Sequence, residues 1–198
     1  MTFGTYVNTP TKLTLIRLLI SPFVLPLLIF YISPLNNIYL NSLLALLFIL
    51  ISLTDFFDGY LARRYRQETK IGKSLDHIAD KFLVYATLVA LLAVKKIFFY
   101  WVIVLIGREF FVLGLRIIAL EHGLEVAVST FGKLKTATQM IWLTFLLVVP
   151  NRYLIMNVSP FWATINSLLI TLTLGFSIYS AYAYGRAFYT KLKNYRAL

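Results

Sequence analysis

Asp55, Asp58, Asp76 and Asp80 are the only aspartates in the 198-residue chain, and they fall within 26 residues of one another. Asp55, Asp58, Gly59 and Ala62 stand at i, i+3, i+4 and i+7; Gly72, Asp76 and Asp80 stand at i, i+4 and i+8. On α-helices each set forms one stripe. Two helices joined by a short connector pack antiparallel, so the stripes can face each other. Four carboxylates converging in a low-dielectric place repel strongly and call for a compensating charge. Hard oxygen ligands select Mg²⁺, Mn²⁺ or Ca²⁺ over softer metals. Two such ions, roughly 3.5–4 Å apart and bridged by carboxylates, are the usual device for phosphoryl chemistry. Gly59, Ala62 and Gly72 remove bulk along the same stripes, which lets a nucleotide or pyrophosphate approach the helix backbone. Arg63 follows at once and is a donor matched to phosphate oxygens.

The elements that must position these residues are apolar. Hydrophobic residues make up 60% of the chain and charged ones 14%, with a mean hydropathy of +0.79. Ordinary soluble domains run at roughly 45–50% and about 25%. The composition predicts a polytopic, all-α membrane protein with one domain over residues 1–198. Spans of about 20 apolar residues are expected at 13–32, 38–61, 75–94, 97–120, 134–149 and 161–184, a six-helix bundle; the fifth is short, and a start nearer Thr130 is the alternative. Pro34-Leu-Asn-Asn37, Lys95-Lys96, Gly123 and Pro150-Asn-Arg152 mark connections. Residues 1–10 contain no basic residue and no small-residue cleavage pattern, so a cleaved signal peptide is not expected. The absence of cysteine excludes disulfides and thiolate metal sites.

Charge sets the orientation. One side holds Lys12, Arg63, Arg64, Arg66, Lys70, Lys73, Lys133, Lys135, Arg186, Lys191, Lys193 and Arg196; the other holds Lys95, Lys96 and Arg152. Lysine and arginine collect on the cytoplasmic side of membrane helices. Both termini and all four aspartates are therefore expected at the cytoplasmic face. The net charge of +11 is accounted for by these flanks, with anionic membrane lipids as partners and no nucleic acid.

The pattern D-x-x-D-G-x-x-A-R-x₈-G-x₃-D-x₃-D, met here by Asp55, Asp58, Gly59, Ala62, Arg63, Gly72, Asp76 and Asp80, resembles the motif of the CDP-alcohol phosphatidyltransferase family. The resemblance extends over the whole chain. It implies a metal-dependent transfer of a phosphatidyl group from CDP-diacylglycerol to an alcohol, with release of CMP.

The acceptor must be read outside the motif. Arg108-Glu109 falls mid-span, where an isolated charge is expensive, and Arg116 lies two turns nearer the cytoplasm. Lys133 and Lys135 open the fifth span. These four cations are candidates for binding an anionic acceptor phosphate. The competing expectations are a cytoplasmic flank for Lys133 and Lys135, and a buried ion pair with another span for Arg108. Glu109 is expected to be a poor partner for Arg108, because i and i+1 do not face each other. The run Arg108-Glu109, Arg116, Val126-Ala-Val-Ser129, Gly132-Lys-Leu-Lys135-Thr136 and Gln139-Met140, with Asn8-Thr-Pro10-Thr-Lys-Leu13-Thr14-Leu-Ile-Arg17, resembles bacterial phosphatidylglycerophosphate synthases. That subfamily's acceptor is sn-glycerol 3-phosphate, a dianion for which a cationic lining is apt. His77 departs from the proline often found there.

The resemblance implies roles. Asp55, Asp58, Asp76 and Asp80 would hold Mg²⁺ or Mn²⁺, two ions in all, with Asp80 also the base for the acceptor hydroxyl. Asp58, Gly59, Ala62, Arg63 and Gly72 would bind CDP-diacylglycerol. The setting implied is a bacterial inner membrane with the active site at the cytoplasmic face; a homodimer stays open. Other CDP-alcohol transferases, making cardiolipin, phosphatidylserine or phosphatidylinositol phosphate, are the alternatives within the class. An ion-coupled transporter would need carboxylates across the membrane, yet spans one, five and six carry none.

Overall fold

In a computed structural model, backbone is described for residues 22–64, 70–124, 130–150 and 160–196, and side chains for 22–53, 81–124, 131–150 and 160–193. The described residues are helical throughout, without strands. The helices are α1 (22–32), α2 (Ile38–Arg64), α3 (Lys70–Ala93), α4 (Phe99–Glu121), α5 (Thr130–Val148) and α6 (Pro160–Arg196). The part of the first expected span before residue 22 lies outside the described residues.

Local chemistry explains the helix ends. After α1 the 3₁₀ turn Ser33–Leu35 closes on Asn36, which takes the left-handed conformation at φ 55°. Asn37 caps α2: its Oδ1 accepts hydrogen bonds from the backbone N–H of Tyr39 at 2.9 Å and of Leu40 at 3.4 Å. Helix α4 stops at Gly123, whose φ of 66° suits a residue without Cβ; Leu124 N–H then reaches back to Ala119 O at 2.8 Å. The same closure ends α3, with Lys95 at φ 60° and Lys96 N–H on Leu91 O at 2.9 Å. There a lysine occupies the position glycine usually takes.

Two compact units are distinguished. One comprises α1, α2, α3 and the end of α5 from Leu143; the other comprises α4, α5 as far as Trp142, and α6. In the first, α2 and α3 pack against each other. Leu25 and Ile29 on α1, Leu44 and Phe48 on α2, and Leu83, Leu88 and Leu91 on α3 are fully buried, as are Leu143, Leu146 and Leu147 on α5. Their i, i+3 and i+4 spacings place one stripe of each helix inward. In the second unit α4 packs along α6. Helix α6, over Pro160–Lys193, is long and apolar enough to cross a membrane by length and composition. Every 18-residue window of α4 includes Arg108, Glu109 and Arg116, which keeps this otherwise apolar helix from meeting the same description.

Two expected boundaries shift. Helix α5 begins at Thr130, the earlier of its two expected starts, and α3 at Lys70 rather than 75. Helix α6 continues to Arg196, past the expected end at 184. Hydropathy falls at these ends because of charged side chains, yet no proline interrupts the helix. Lysine and arginine also suit the negative end of α6.

Candidate active site

Asp55, Asp58, Gly59, Ala62 and Arg63 all lie on the last three turns of α2; Gly72, Asp76 and Asp80 lie on the first three turns of α3. Both stretches are unbroken helix. The i, i+3 and i, i+4 spacings thus fall on helical backbone, and one stripe on each helix is the consequence. Residues 65–69, between the two helices, lie outside the described set, as do the side chains of all eight motif residues and of His77. Among the residues with described side chains, no three His, Asp or Glu converge on a common point; the four aspartates are not among them.

The second cluster lies in the unit of α4, α5 and α6, and here the side chains are defined. Arg108 Nε donates to Ser177 O on α6 at 3.1 Å, and its Nη2 donates to Ser180 Oγ. Its Nη1 donates to Glu109 Oε1 at 2.5 Å. Lys135 Nζ, on α5, donates to the same Glu109 oxygen. All three side chains are nearly enclosed, with 8–12% of their surface exposed. Ion pairs this enclosed are screened little by solvent.

This arrangement corrects the expectation that Glu109 would not partner Arg108. The i, i+1 rule assumes side chains that leave the helix along their Cα–Cβ directions. Arg108 is anchored sideways on α6 through Nε and Nη2, and its long stem leaves Nη1 free to turn to its neighbour. The sequence also offered a partner for Arg108 on another span; the carboxylate is on its own helix. The inter-helix ionic link instead runs from Glu109 to Lys135.

Of the other acceptor candidates, Arg116 is half-buried on α4 and Lys133 is exposed on α5. Neither makes a hydrogen bond or ion pair with other residues in the described structure. Arg108 and Lys135 are thus brought together by Glu109, whereas Arg116 and Lys133 are not part of that cluster.

Sequence reasoning passed over the polar residues around the cluster. Ser177 is fully buried and its Oγ has no partner. Thr173, Ser177 and Ser180 are all buried and stand at i, i+4 and i+7 on α6. Gln139 is buried on α5, and Trp142 Nε1 donates to Asn166 Oδ1 at 2.9 Å. The signal was available: a polar stripe at helical spacing along an apolar helix.

Lys96 is the other buried lysine among the described residues. Its Nζ donates to Leu146 O and Val149 O, both at 2.7 Å, closing the carbonyl end of α5. Burial pushes its ammonium down to about 7, while the two carbonyls favour the charged form.

Comparison with known proteins bears on this geometry. The family model for CDP-alcohol phosphatidyltransferase matches residues 7–179. The CDP-diacylglycerol–glycerol-3-phosphate 3-phosphatidyltransferase of Rickettsia typhi is 42% identical over 141 residues, covering 71% of this chain and 76% of the relative. The proteins of that name from Pectobacterium atrosepticum and Salmonella choleraesuis are 41% and 40% identical over 152 and 151 residues; each match covers 73% of this chain and 79% of the relative. The family model spans the motif helices α2 and α3 as well as α4 and α5, and the chain belongs to the CDP-alcohol phosphatidyltransferase family.

Proposed function

We propose that this protein is a membrane transferase that moves the phosphatidyl group of CDP-diacylglycerol to sn-glycerol 3-phosphate. The products are phosphatidylglycerophosphate and CMP, in phospholipid biosynthesis. The observation that carries the proposal is identity of about 40% over most of the chain to relatives named for that reaction. The complete eight-residue motif on α2 and α3 supports it.

The catalytic domain is residues 1–198, with six spans and both termini in the cytoplasm. Charge asymmetry supports this orientation. Membrane placement itself is supported by the many large apolar side chains left exposed on α1, α2, α4 and α6, among them Tyr39, Ile103, Phe110 and Leu168. Water would penalise such surfaces, and lipid would not.

Four carboxylates without cysteine form a donor set that fits hard divalent cations such as Mg²⁺ or Mn²⁺. Asp55, Asp58, Asp76 and Asp80 would hold them. When bound, such ions neutralise pyrophosphate charge and polarise phosphorus. Arg63 binds a pyrophosphate oxygen, and Gly59, Ala62 and Gly72 leave room for the cytidine end beside Asp58. Asp80 accepts the proton of the acceptor's primary hydroxyl. That oxygen then forms a bond to the phosphorus bearing the diacylglycerol, and the bond from this phosphorus to CMP breaks. Arg116 and Lys133 bind the acceptor phosphate, and the Arg108–Glu109–Lys135 cluster, of net charge +1, supports its binding.

The test is CMP release by the purified protein with CDP-diacylglycerol and a panel of acceptors: sn-glycerol 3-phosphate, serine, inositol phosphate and phosphatidylglycerol. Release only with sn-glycerol 3-phosphate is expected. Release with another acceptor alone would reassign the alcohol, and none with any acceptor and either metal would refute the transferase.

A further inference from the structure

A groove of about 680 Å³ runs between α4 and α6, and the transfer chemistry makes no use of it. Its floor is low because Gly107, Ala181 and Gly185 line it. A methyl group at Gly107 would meet nothing within 4 Å, and at Gly185 only Leu115 Cδ1 at 3.9 Å. Phe111, Ile178, Tyr182 and Tyr189 form its sides, and each is more than half exposed. The lining is almost wholly apolar apart from two arginines. Arg108 is turned away into its bonds with α6 and Glu109. Arg186 is exposed.

Arg186 and Tyr182 also border a second trough of about 440 Å³, which continues along α6 past Ala183 and Ala187. Arg186 is thus the cation common to both troughs, and Lys191 with Thr190 lines the far end of the second. Helix α6 contains no Asp or Glu, and Lys191, Lys193 and Arg196 follow Arg186. The charge at this end has no acidic counterpart on its own helix.

Several occupants are disfavoured by this pattern. A free phosphate would fill neither trough. A zwitterionic lipid brings its own cation beside its phosphate. A second copy presenting the same face would bring like charges together, because a two-fold contact sets each patch against itself. A guanidinium, in contrast, binds a phosphodiester with two parallel hydrogen bonds. We propose that the α4–α6 groove is a binding site for an anionic diacyl phospholipid that is not a substrate. Its phosphate sits on Arg186 and its acyl chains lie in the two troughs. The site rests on the membrane placement given above but not on the transfer reaction.

The full-length protein in detergent, incubated with equal amounts of dioleoylphosphatidylserine and dioleoylphosphatidylcholine and then dialysed, provides the test. Retained lipid is counted by native mass spectrometry. The wild type should retain one phosphatidylserine per chain, with about fivefold preference over phosphatidylcholine, the effect of one basic side chain at an anionic headgroup. Arg186→Gln should lose the preference and Arg186→Lys should keep most of it. Gly185→Leu, or Ala181→Leu where the former does not fold, should retain neither lipid while its circular dichroism matches the wild type. An unchanged preference in Arg186→Gln overturns the proposal. So does retention in the filled-groove variant, or conversion of that variant from dimer to monomer with lipid still bound, which would give the groove to a second copy. Displacement of the lipid by inorganic phosphate alone, or one for one by CDP-diacylglycerol, also overturns it. Retention needs no turnover, so absence of CMP release would refute the transferase and leave this result standing.

Discussion

Glu109 Oε1 accepts hydrogen bonds from both Arg108 Nη1 and Lys135 Nζ, so one carboxylate oxygen ties α4 to α5. The same arginine reaches α6 through Ser177 O and Ser180 Oγ. Three helices therefore meet at one nearly enclosed ion cluster. Removing Glu109 takes away the carboxylate that both cations share.

Glu109→Gln should accordingly cost about 3 kcal/mol, the lower range for breaking a buried ion pair. For a chain of this length that lowers the thermal midpoint by roughly 6–12 °C. Thermal unfolding in detergent measures it. A cycle with Lys135→Met isolates the pair, because the second change should then add little. Full additivity would show that the two side chains are not coupled.

Asp80→Asn should keep CDP-diacylglycerol binding and lose turnover by about 10²–10⁴-fold, the range for removing a general base. Equilibrium binding of the donor and CMP release separate the two effects. Turnover near wild type removes Asp80 from the role of base.

Arg116→Ala should raise the KM for sn-glycerol 3-phosphate by about tenfold or more, with kcat little altered, since a charged hydrogen bond is worth roughly 1.5–3 kcal/mol. Initial rates across acceptor concentrations decide it. An unchanged KM would return Arg116 to a structural role.

Exhaustive chelation should abolish CMP release, and Mg²⁺ or Mn²⁺ should restore it, because four carboxylates without a counter-charge cannot hold a pyrophosphate. Full activity after chelation would rule out the metal assignment to Asp55, Asp58, Asp76 and Asp80.

Lys96 gives stability a pH dependence. Its pKa is lowered by burial from 10.5 to about 7 in the folded protein. Between those values the unfolded chain binds more protons, so stability rises with pH through this window and falls as pH drops toward 7. Thermal midpoints between pH 7 and 10 should show that rise, and Lys96→Met should flatten it. A slope unaffected by the substitution would assign the dependence to other groups.

The motif was legible because it is local: eight residues at helical spacing within 26 positions need only an unbroken helix to form stripes. Helix existence was legible from hydropathy, and helix ends were less so. Lys70 and Lys73 hid the first turn of α3, and Arg186, Lys191 and Lys193 hid the last turns of α6. Contacts distant in sequence left no trace in local pattern. Lys96 finds its carbonyls 50 and 53 residues away, and Arg108 finds Ser177 and Ser180 69 and 72 residues away. The Arg108–Glu109 pair was missed for a different reason: a spacing rule derived from backbone directions ignores the reach of a tethered arginine.

On the membrane placement proposed above, that tether also bears on how the chain would insert. Helix α4 carries Arg108, Glu109 and Arg116 within nine positions. Charged residues at a helix centre oppose insertion by about 2.5–3.5 kcal/mol each. Alone, α4 would be a reluctant membrane segment. Arg108 has its carboxylate on α4 itself, but its other acceptors, Ser177 O and Ser180 Oγ on α6, and the ammonium of Lys135 on α5 that also binds Glu109, are synthesised later. On that placement, biogenesis of the second half of the protein would be a collective event, in which α4 settles in the bilayer once the helices that partner its charged side chains have followed.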